Sequence, residues 1–319
     1  MKKIVIIGGG TGSFTLIKGL RDYDTSLTAI VSVSDSGGSS GKLRDEFGIL
    51  PTGDIRLCLI AMSEEREIWR DLFKYRFSGG VENHSLGNLI MTALADIKGG
   101  FIEGLDQVSK ILKIKGKVIP VTLETTHLCA ELENGEVIRG ETNIDIPKHD
   151  TSVKIKKVFL EPKSFAYRSA IESIKDKNDL IIIGPGDLYT SIIPNLLVEG
   201  VKEAIKESDA KKVFVCNIMT KKGETSNFTA NEFIEEIKKY LGFYPDLVIC
   251  NNNLPSKELA ESYKDEESFY VSPNIEKNEN YNVIKSDLID EEPHAKEDGK
   301  RRPLIRHDSQ KLARLIMSI

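Results

Sequence analysis

The chain has 319 residues, a formal net charge of −5, and 29% charged against 40% hydrophobic residues. These are the proportions of a soluble globular protein long enough for one large or two modest domains. With a pI of about 5.7 it lacks the positive surface of a general nucleic-acid binder, so an anionic ligand has to be held by local donors. Cys58, Cys129, Cys216 and Cys250 are scattered through apolar runs without a CxxC pair. They read as small buried hydrophobes, not as metal ligands or a disulfide framework. The four aliphatic residues after Met1-Lys2-Lys3 are too few for a signal-peptide core, and no run approaches the ~18 apolar residues of a membrane span. The expectation is a cytoplasmic protein without membrane insertion.

Ile4–Ile7 is a short β-branched run, the pattern of a strand buried on both faces of a parallel sheet. It enters Gly8-Gly9-Gly10-Thr11-Gly12, and a helix is predicted from about Phe14 to Tyr23. A second strand, Leu27–Ser34, ends at Asp35, and the Gly- and Ser-rich stretch Ser36–Gly41 reads as a loop rich in backbone donors and hydroxyls. Pro51-Thr52-Gly53-Asp54 reads as a turn with a cap before a helix over Ile55–Ser63. Further helices are predicted from Ser85-Leu86-Gly87-Asn88 to about Ile97 and over Glu103–Leu112. Between 117 and 160 the pattern becomes a β-rich insertion, with strands Val118–Leu123, Leu128–Leu132 and Val137–Arg139 and a hairpin turn at Glu133-Asn134-Gly135.

Strand–helix alternation then resumes. Leu180–Ile183 feeds Gly184-Pro185-Gly186-Asp187, with a helix from about Pro194. Val213–Cys216 ends at Asn217, a helix covers Glu232–Leu241, and Leu247–Cys250 ends at Asn251. Glu276–Arg306 reads as polar and irregular, and Ser309–Ile316 as a closing amphipathic helix. Such alternation predicts an α/β fold around a parallel sheet with right-handed crossovers. The loops after the strand carboxyl ends are then the functional edge, and five of them carry glycines or polar residues.

Gly8-x-Gly10 with Ser13 in the third small position is a relaxed dinucleotide fingerprint, and Asp35 lies at the spacing of a ribose-binding carboxylate. Glycines let a phosphate approach the backbone, and the following helix start supplies amide donors. The same pattern also suits a tight strand-to-helix turn with no ligand. Gly37–Leu43 is not a P-loop: Ser36 stands at the first glycine position and Leu43 where Ser or Thr would hold magnesium. Asp54 suits a helix N-cap, but a cation at Arg56 opposes the helix dipole unless it meets a ligand phosphate. His84 and Asn88 could face a ligand or serve as ordinary hydrogen-bonding residues. The five histidines show no HxH or HExxH spacing, so no metal site is predicted, and no nucleophile with a visible base marks a catalytic residue.

The series GGGTGS, VSVSDSGGSSGKLR, PTGDIR, NHSLGNL, GPGDLYTSIIPNLL, VCNIMT and IRHDSQKLA resembles the bacterial gluconeogenesis-factor (YvcK-like) family, which is related to the 2-phospho-L-lactate transferases (CofD-like). The resemblance spans nearly the whole chain. It implies a single Rossmann-like domain over 1–319, a three-layer sandwich on a mostly parallel sheet with the β-rich insertion at about 117–160. It also implies a cytoplasmic regulator of gluconeogenic growth, cell shape and envelope precursor supply that binds UDP-N-acetylglucosamine. An unidentified protein partner and a homodimer are further expectations, with no nucleic acid. Carried over by motif, the pocket would be lined by Gly9, Gly10, Thr11, Gly12, Asp35, Ser39, Ser40, Asp54, Arg56, His84, Asn88, Gly186, Asp187, Asn217 and Asn251. Tyr263 and Arg306 would complete it. The alternative is a transferase moving a phospho-acid group from a nucleotide diphosphate carrier, and only then would magnesium be a cofactor. Many members carry Asp-Asp before GGSSG where this chain has Asp35-Ser36. A lone carboxylate there weakens the metal-assisted reading.

Overall fold

The computed structural model describes residues 1–65, 67–78, 83–261, 267–290 and 305–319. The strands are β1 (Lys2–Gly8), β2 (Thr25–Val31), β3 (Lys117–Pro120), β4 (His127–Leu132) and β5 (Val137–Arg139), followed by β6 (Ile155–Glu161), β7 (Leu180–Ile183), β8 (Lys211–Val215), β9 (Leu247–Asn251) and β10 (Asn282–Ser286). Seven of them form one sheet in the order β10-β9-β8-β7-β1-β2-β3, and every pair in it is parallel. This is the doubly wound order, and the direction of winding reverses between β1 and β7. At such a point the crossover connections leave to opposite sides and open a crevice above the strand ends.

The helices are α1 (Gly10–Leu20), α2 (Gly38–Phe47), α3 (Gly53–Met62), α4 (Glu67–Lys74), α5 (Leu86–Lys98), α6 (Phe101–Ile111) and α7 (Glu141–Asp145). They continue with α8 (Arg168–Lys175), a π-helical turn over Leu188–Ile192 that runs into α9 (Ile193–Leu196), α10 (Val201–Glu207), α11 (Ala230–Leu241), α12 (Lys257–Glu261) and α13 (Ser309–Met317). The β1 run explains the layering. Successive strand side chains face opposite ways, so Ile4 and Ile6 join a core with Leu16, Ile17, Ile55, Leu59 and Leu312. Val5 and Ile7 join a second core with Ile193, Val201, Phe233 and Ile237. Helices α1, α3 and α13 therefore cover one face and α9, α10 and α11 the other. The result is the three-layer α/β sandwich that the alternation implies.

The antiparallel sheet β5-β4-β6 confirms a β-rich insertion with a changed membership. The first strand of that stretch, β3, pairs with β2 as the edge of the main sheet. Its apolar run is too short to reveal which sheet it joins. Two further differences concern weak patterns. The Ser36–Gly41 stretch is not all loop, since α2 begins at Gly38 and buries Ser39, Ser40, Gly41 and Leu43. Small polar residues hide that helix from a hydrophobic-period reading. The polar stretch after Glu276 contains β10, whose half-buried edge position leaves little apolar signal. All four cysteines are buried and free.

Helix α11, which backs the second core, starts with a complete capping box: Thr229 accepts from Glu232 N–H, and the Glu232 carboxylate accepts from Thr229 N–H. Thr229→Ala removes one of these bonds and is expected to lower the unfolding free energy by ~1 kcal/mol. Urea titration measures this, and an unchanged midpoint would show that the cap adds nothing.

Candidate functional site

Two glycine loops meet where the sheet winding reverses. Gly9-Gly10 leads from β1 into α1, and Gly184-Pro185-Gly186-Asp187 leads from β7 into the π-helical turn. The contact is backbone on backbone: a Cβ at Gly12 would overlap the Pro185 carbonyl, and one at Gly9 would overlap the Asp54 carboxylate. Asn195 fastens the same junction by donating from Nδ2 to the Gly8 carbonyl at 3.2 Å. The amide end of α1 thus faces an open rim flanked by the β2 and β7 loops, the geometry that receives phosphate oxygens.

Carboxylates crowd this rim. Asp54 lies inside the first turn of α3, after Thr52 at the cap position, so it does not cap its own helix. It accepts instead from the Gly10 N–H and supports the glycine loop. Burial first, then repulsion from Asp35, pushes its pKa up to about 7. Burial likewise raises the Asp35 pKa, against the hydrogen bond from Gly37 N–H, which is 2.8 Å long. Glu141, from α7, is pushed up to about 9 by burial and then by Asp35, Asp145 and Asp54. Buried carboxyls that repel one another hold protons near neutrality.

Behind the rim runs a buried polar network. Ser39 Oγ lies 3.0 Å from His84 Nδ1 and accepts from Asn88 Nδ2 at 3.1 Å. Asn88 Oδ1 in turn accepts from Arg56 Nε at 2.9 Å. Arg56 Nη1 donates to the Phe73 carbonyl, also at 2.9 Å. The Arg56 side chain is therefore built into the packing of α3 against α5, which accounts for a cation at a helix start without any phosphate. Ser39, Ser40, Arg56, His84 and Asn88 come together as one cluster beside Asp35.

On the other side of the crevice, Asn217 donates from Nδ2 to the Gly186 carbonyl at 2.7 Å. Asn251 turns into its own loop, donating to Asn253 O at 2.6 Å and accepting from Leu288 N–H at 3.0 Å. Arg306 precedes α13 and is joined to Asp290 through its carbonyl. Tyr263 lies outside the described residues.

Four rim residues lie outside the sequence motifs. Glu141 and Asp145 come from the insertion, and Lys221 and Glu224 from the segment after β8. The Lys221 ammonium forms ion pairs with Asp145, with Asp187 at 2.8 Å and with Glu224 at 2.7 Å. Burial alone would depress the Lys221 pKa, but these acids hold it well above its usual value. Burial pushes Glu224 up to about 7. Asp145, Asp187 and Glu224 also bring oxygen atoms within 4.8 Å of one another, and among the described residues no histidine or cysteine joins them.

A parallel sheet between two helical layers, with glycine loops at the carboxyl edge where the winding reverses, defines a Rossmann-like protein of the α/β class. A family model described as 2-phospho-L-lactate transferase CofD matches residues 4–289. The chain is 44% identical over 319 residues to a putative gluconeogenesis factor of Thermotoga maritima, covering 99% of both chains. It is 39% identical to a gluconeogenesis factor of Bacillus subtilis, covering 99% of this chain and 98% of that one. A crystal structure of a upf0052 family member from Bacillus halodurans superposes with a TM-score of 0.89 at 37% identity, covering 99% of this chain and 100% of the other. The chain belongs to the gluconeogenesis-factor family, whose core is CofD-like. Among the described residues no helix is long and apolar enough to cross a membrane.

Two predictions follow from these surroundings. Arg56→Ala leaves Asn88 Oδ1 buried without its donor, at roughly 1–3 kcal/mol, while the Phe73 carbonyl still accepts from Ser85 Oγ, and thermal unfolding should show the loss without any ligand present. A carboxyl whose native pKa exceeds its unfolded one stabilises fully below the unfolded value, and that contribution is lost as pH rises through the native value. For Asp54 the window runs from the ordinary 3.8 to about 7. Asp54→Asn should therefore gain stability over the parent from pH 4 to pH 7, by at most ~1.4 kcal/mol per pH unit. Denaturant titrations at pH 4.5, 6 and 8 test the sign, and a gain that grew toward acid would refute the assignment.

Proposed function

We propose that this protein is a cytoplasmic regulator that binds a UDP-sugar, UDP-N-acetylglucosamine, in the crevice between the two glycine loops. Through a protein partner it links envelope precursor supply and cell shape to gluconeogenic growth. The observation that carries the reading is the backbone contact of Gly12 with Pro185, which sets two donor-rich loops side by side for one extended ligand. The pyrophosphate would lie against the amide end of α1, as helix starts favour anions. Asp35 would accept from sugar or ribose hydroxyls, and Asn217 and Asp187 would face the far end of the ligand.

A second reading rests on the Asp35/Asp54 pair. Burial and repulsion from Asp35 raise the proton affinity of Asp54, and two hard oxygen donors on neighbouring loops fit magnesium. In a phospho-acid transferase these residues would hold the ion, which would neutralise charge building on the nucleoside monophosphate that leaves as the diphosphate bridge breaks. Asp54 would then bind as its anion while Gly10 keeps its side chain oriented.

Calorimetry with UDP-N-acetylglucosamine, UDP-glucose, NAD and GTP separates these classes. Saturable heat with the UDP-sugars, and no product by mass spectrometry after incubation with magnesium, is the expected outcome. Binding of neither UDP-sugar would overturn the regulator reading, and a transferred phospho-acid product would establish the second one.

A further inference from the structure

Helix α7 of the insertion crosses the carboxyl edge of the main sheet. At one end, Thr142 N–H donates to Ser36 Oγ at 3.0 Å, and Ser36 Oγ donates to Thr142 Oγ1 at 3.2 Å, which fastens α7 to the loop after β2. At the other end, Asp145 pairs with Lys221, whose ammonium also holds Asp187 of the β7 loop at 2.8 Å and Glu224 at 2.7 Å. The β2 and β7 loops flank the β1 glycine loop on its two sides. The insertion therefore spans the crevice, anchored on both banks. The Ser36 hydroxyl makes the first anchor, and Lys221 makes the second.

The geometry points to Lys221 as the positioning residue that clamps the insertion across the ligand crevice, its ammonium serving as the resident cation among three carboxylates. Three acids converging without a cation would repel one another. With the ammonium between them, the insertion, the β7 loop and the segment after β8 are drawn to a single point. The Lys221 side chain is 24% exposed while that of Glu224 is 1% exposed, so the lysine enters from the solvent side onto a fixed, buried acid. The inference concerns the clamp and holds for whatever ligand fills the crevice.

Hydrogen exchange of the ligand-free protein tests it. In Lys221→Met, amides of residues 141–146 should exchange about tenfold faster than in the parent, with the β1 and β7 amides unchanged, because opening is local. Lys221→Arg should restore most of the protection. Added Mn2+ should also restore it in Lys221→Met but change nothing in the parent, because a divalent ion can take the place of the ammonium among oxygen donors. A purely packing role for the lysine stem would not respond to metal. Unchanged exchange at 141–146 overturns the clamp, and loosening that Mn2+ cannot reverse overturns the resident-cation role. Should Lys221→Met not fold, Asp145→Asn cuts only the insertion's arm, and the same segment must then loosen or the clamp is wrong. None of these readouts uses a nucleotide, so the absence of UDP-sugar binding would count against the ligand reading alone.

Discussion

Strand β1 pairs in parallel with β2 on one side and β7 on the other, and the rest of the molecule is arranged around that double pairing. It puts a strand from the start of the chain beside one from its middle, with the whole insertion and several helices between them. The winding must reverse there, so the connections leave a gap above β1. Glycines line the gap because the two loops run backbone against backbone, with no room for a side chain at Gly12. Both apolar cores depend on the same strand, since alternate residues of Ile4–Ile7 enter opposite faces.

The crevice is lined with acids. Asp35, Asp54, Glu141, Asp145, Asp187 and Glu224 feel one another's charge. Such a set stays in one place because each member has its own local support. Asp54 is held by the Gly10 N–H, Asp35 by the Gly37 N–H, and three of the others by Lys221. An incoming anion would meet backbone donors at α1 and partly protonated carboxyls around them. Protons retained near neutral pH lessen the repulsion that a fully ionised rim would exert. Selectivity for a ligand bearing both phosphates and many hydroxyls is then a matter of which oxygens reach donors and which reach acceptors.

Arg56 shows how a local anomaly can be read in two ways. A cation in the first turn opposes the helix dipole, which by sequence suggests a ligand phosphate. In the folded protein its guanidinium is engaged by Asn88 and Phe73, so tertiary hydrogen bonds offset the unfavourable placement. Asp54 is the converse case. Its position before an apolar helix suggests a cap, yet its carboxylate serves a loop more than forty residues earlier. Both residues belong to the rim region that the motifs mark out. What each one touches depends on long-range approach.

The sequence by itself determined the α/β class, the alternation of strands and helices, and the two glycine loops, because these follow from residue period and from local backbone demands. Ile4–Ile7 and Leu180–Ile183 are legible as buried strands since both faces are apolar over a few residues. β3 was legible as a strand but not as a member of the main sheet, since its three buried residues do not name their partner, and β10 was not legible because none of its residues is buried. The tertiary structure alone decided that α7 spans the crevice and that Lys221 joins Asp145, Asp187 and Glu224. Lys221 and Asp145 lie 76 residues apart in the chain, and Ser36 and Thr142 lie 106 apart. Charged residues on polar loops carry no pattern that names their partners, since a Coulombic contact depends on distance in space and not on spacing along the chain.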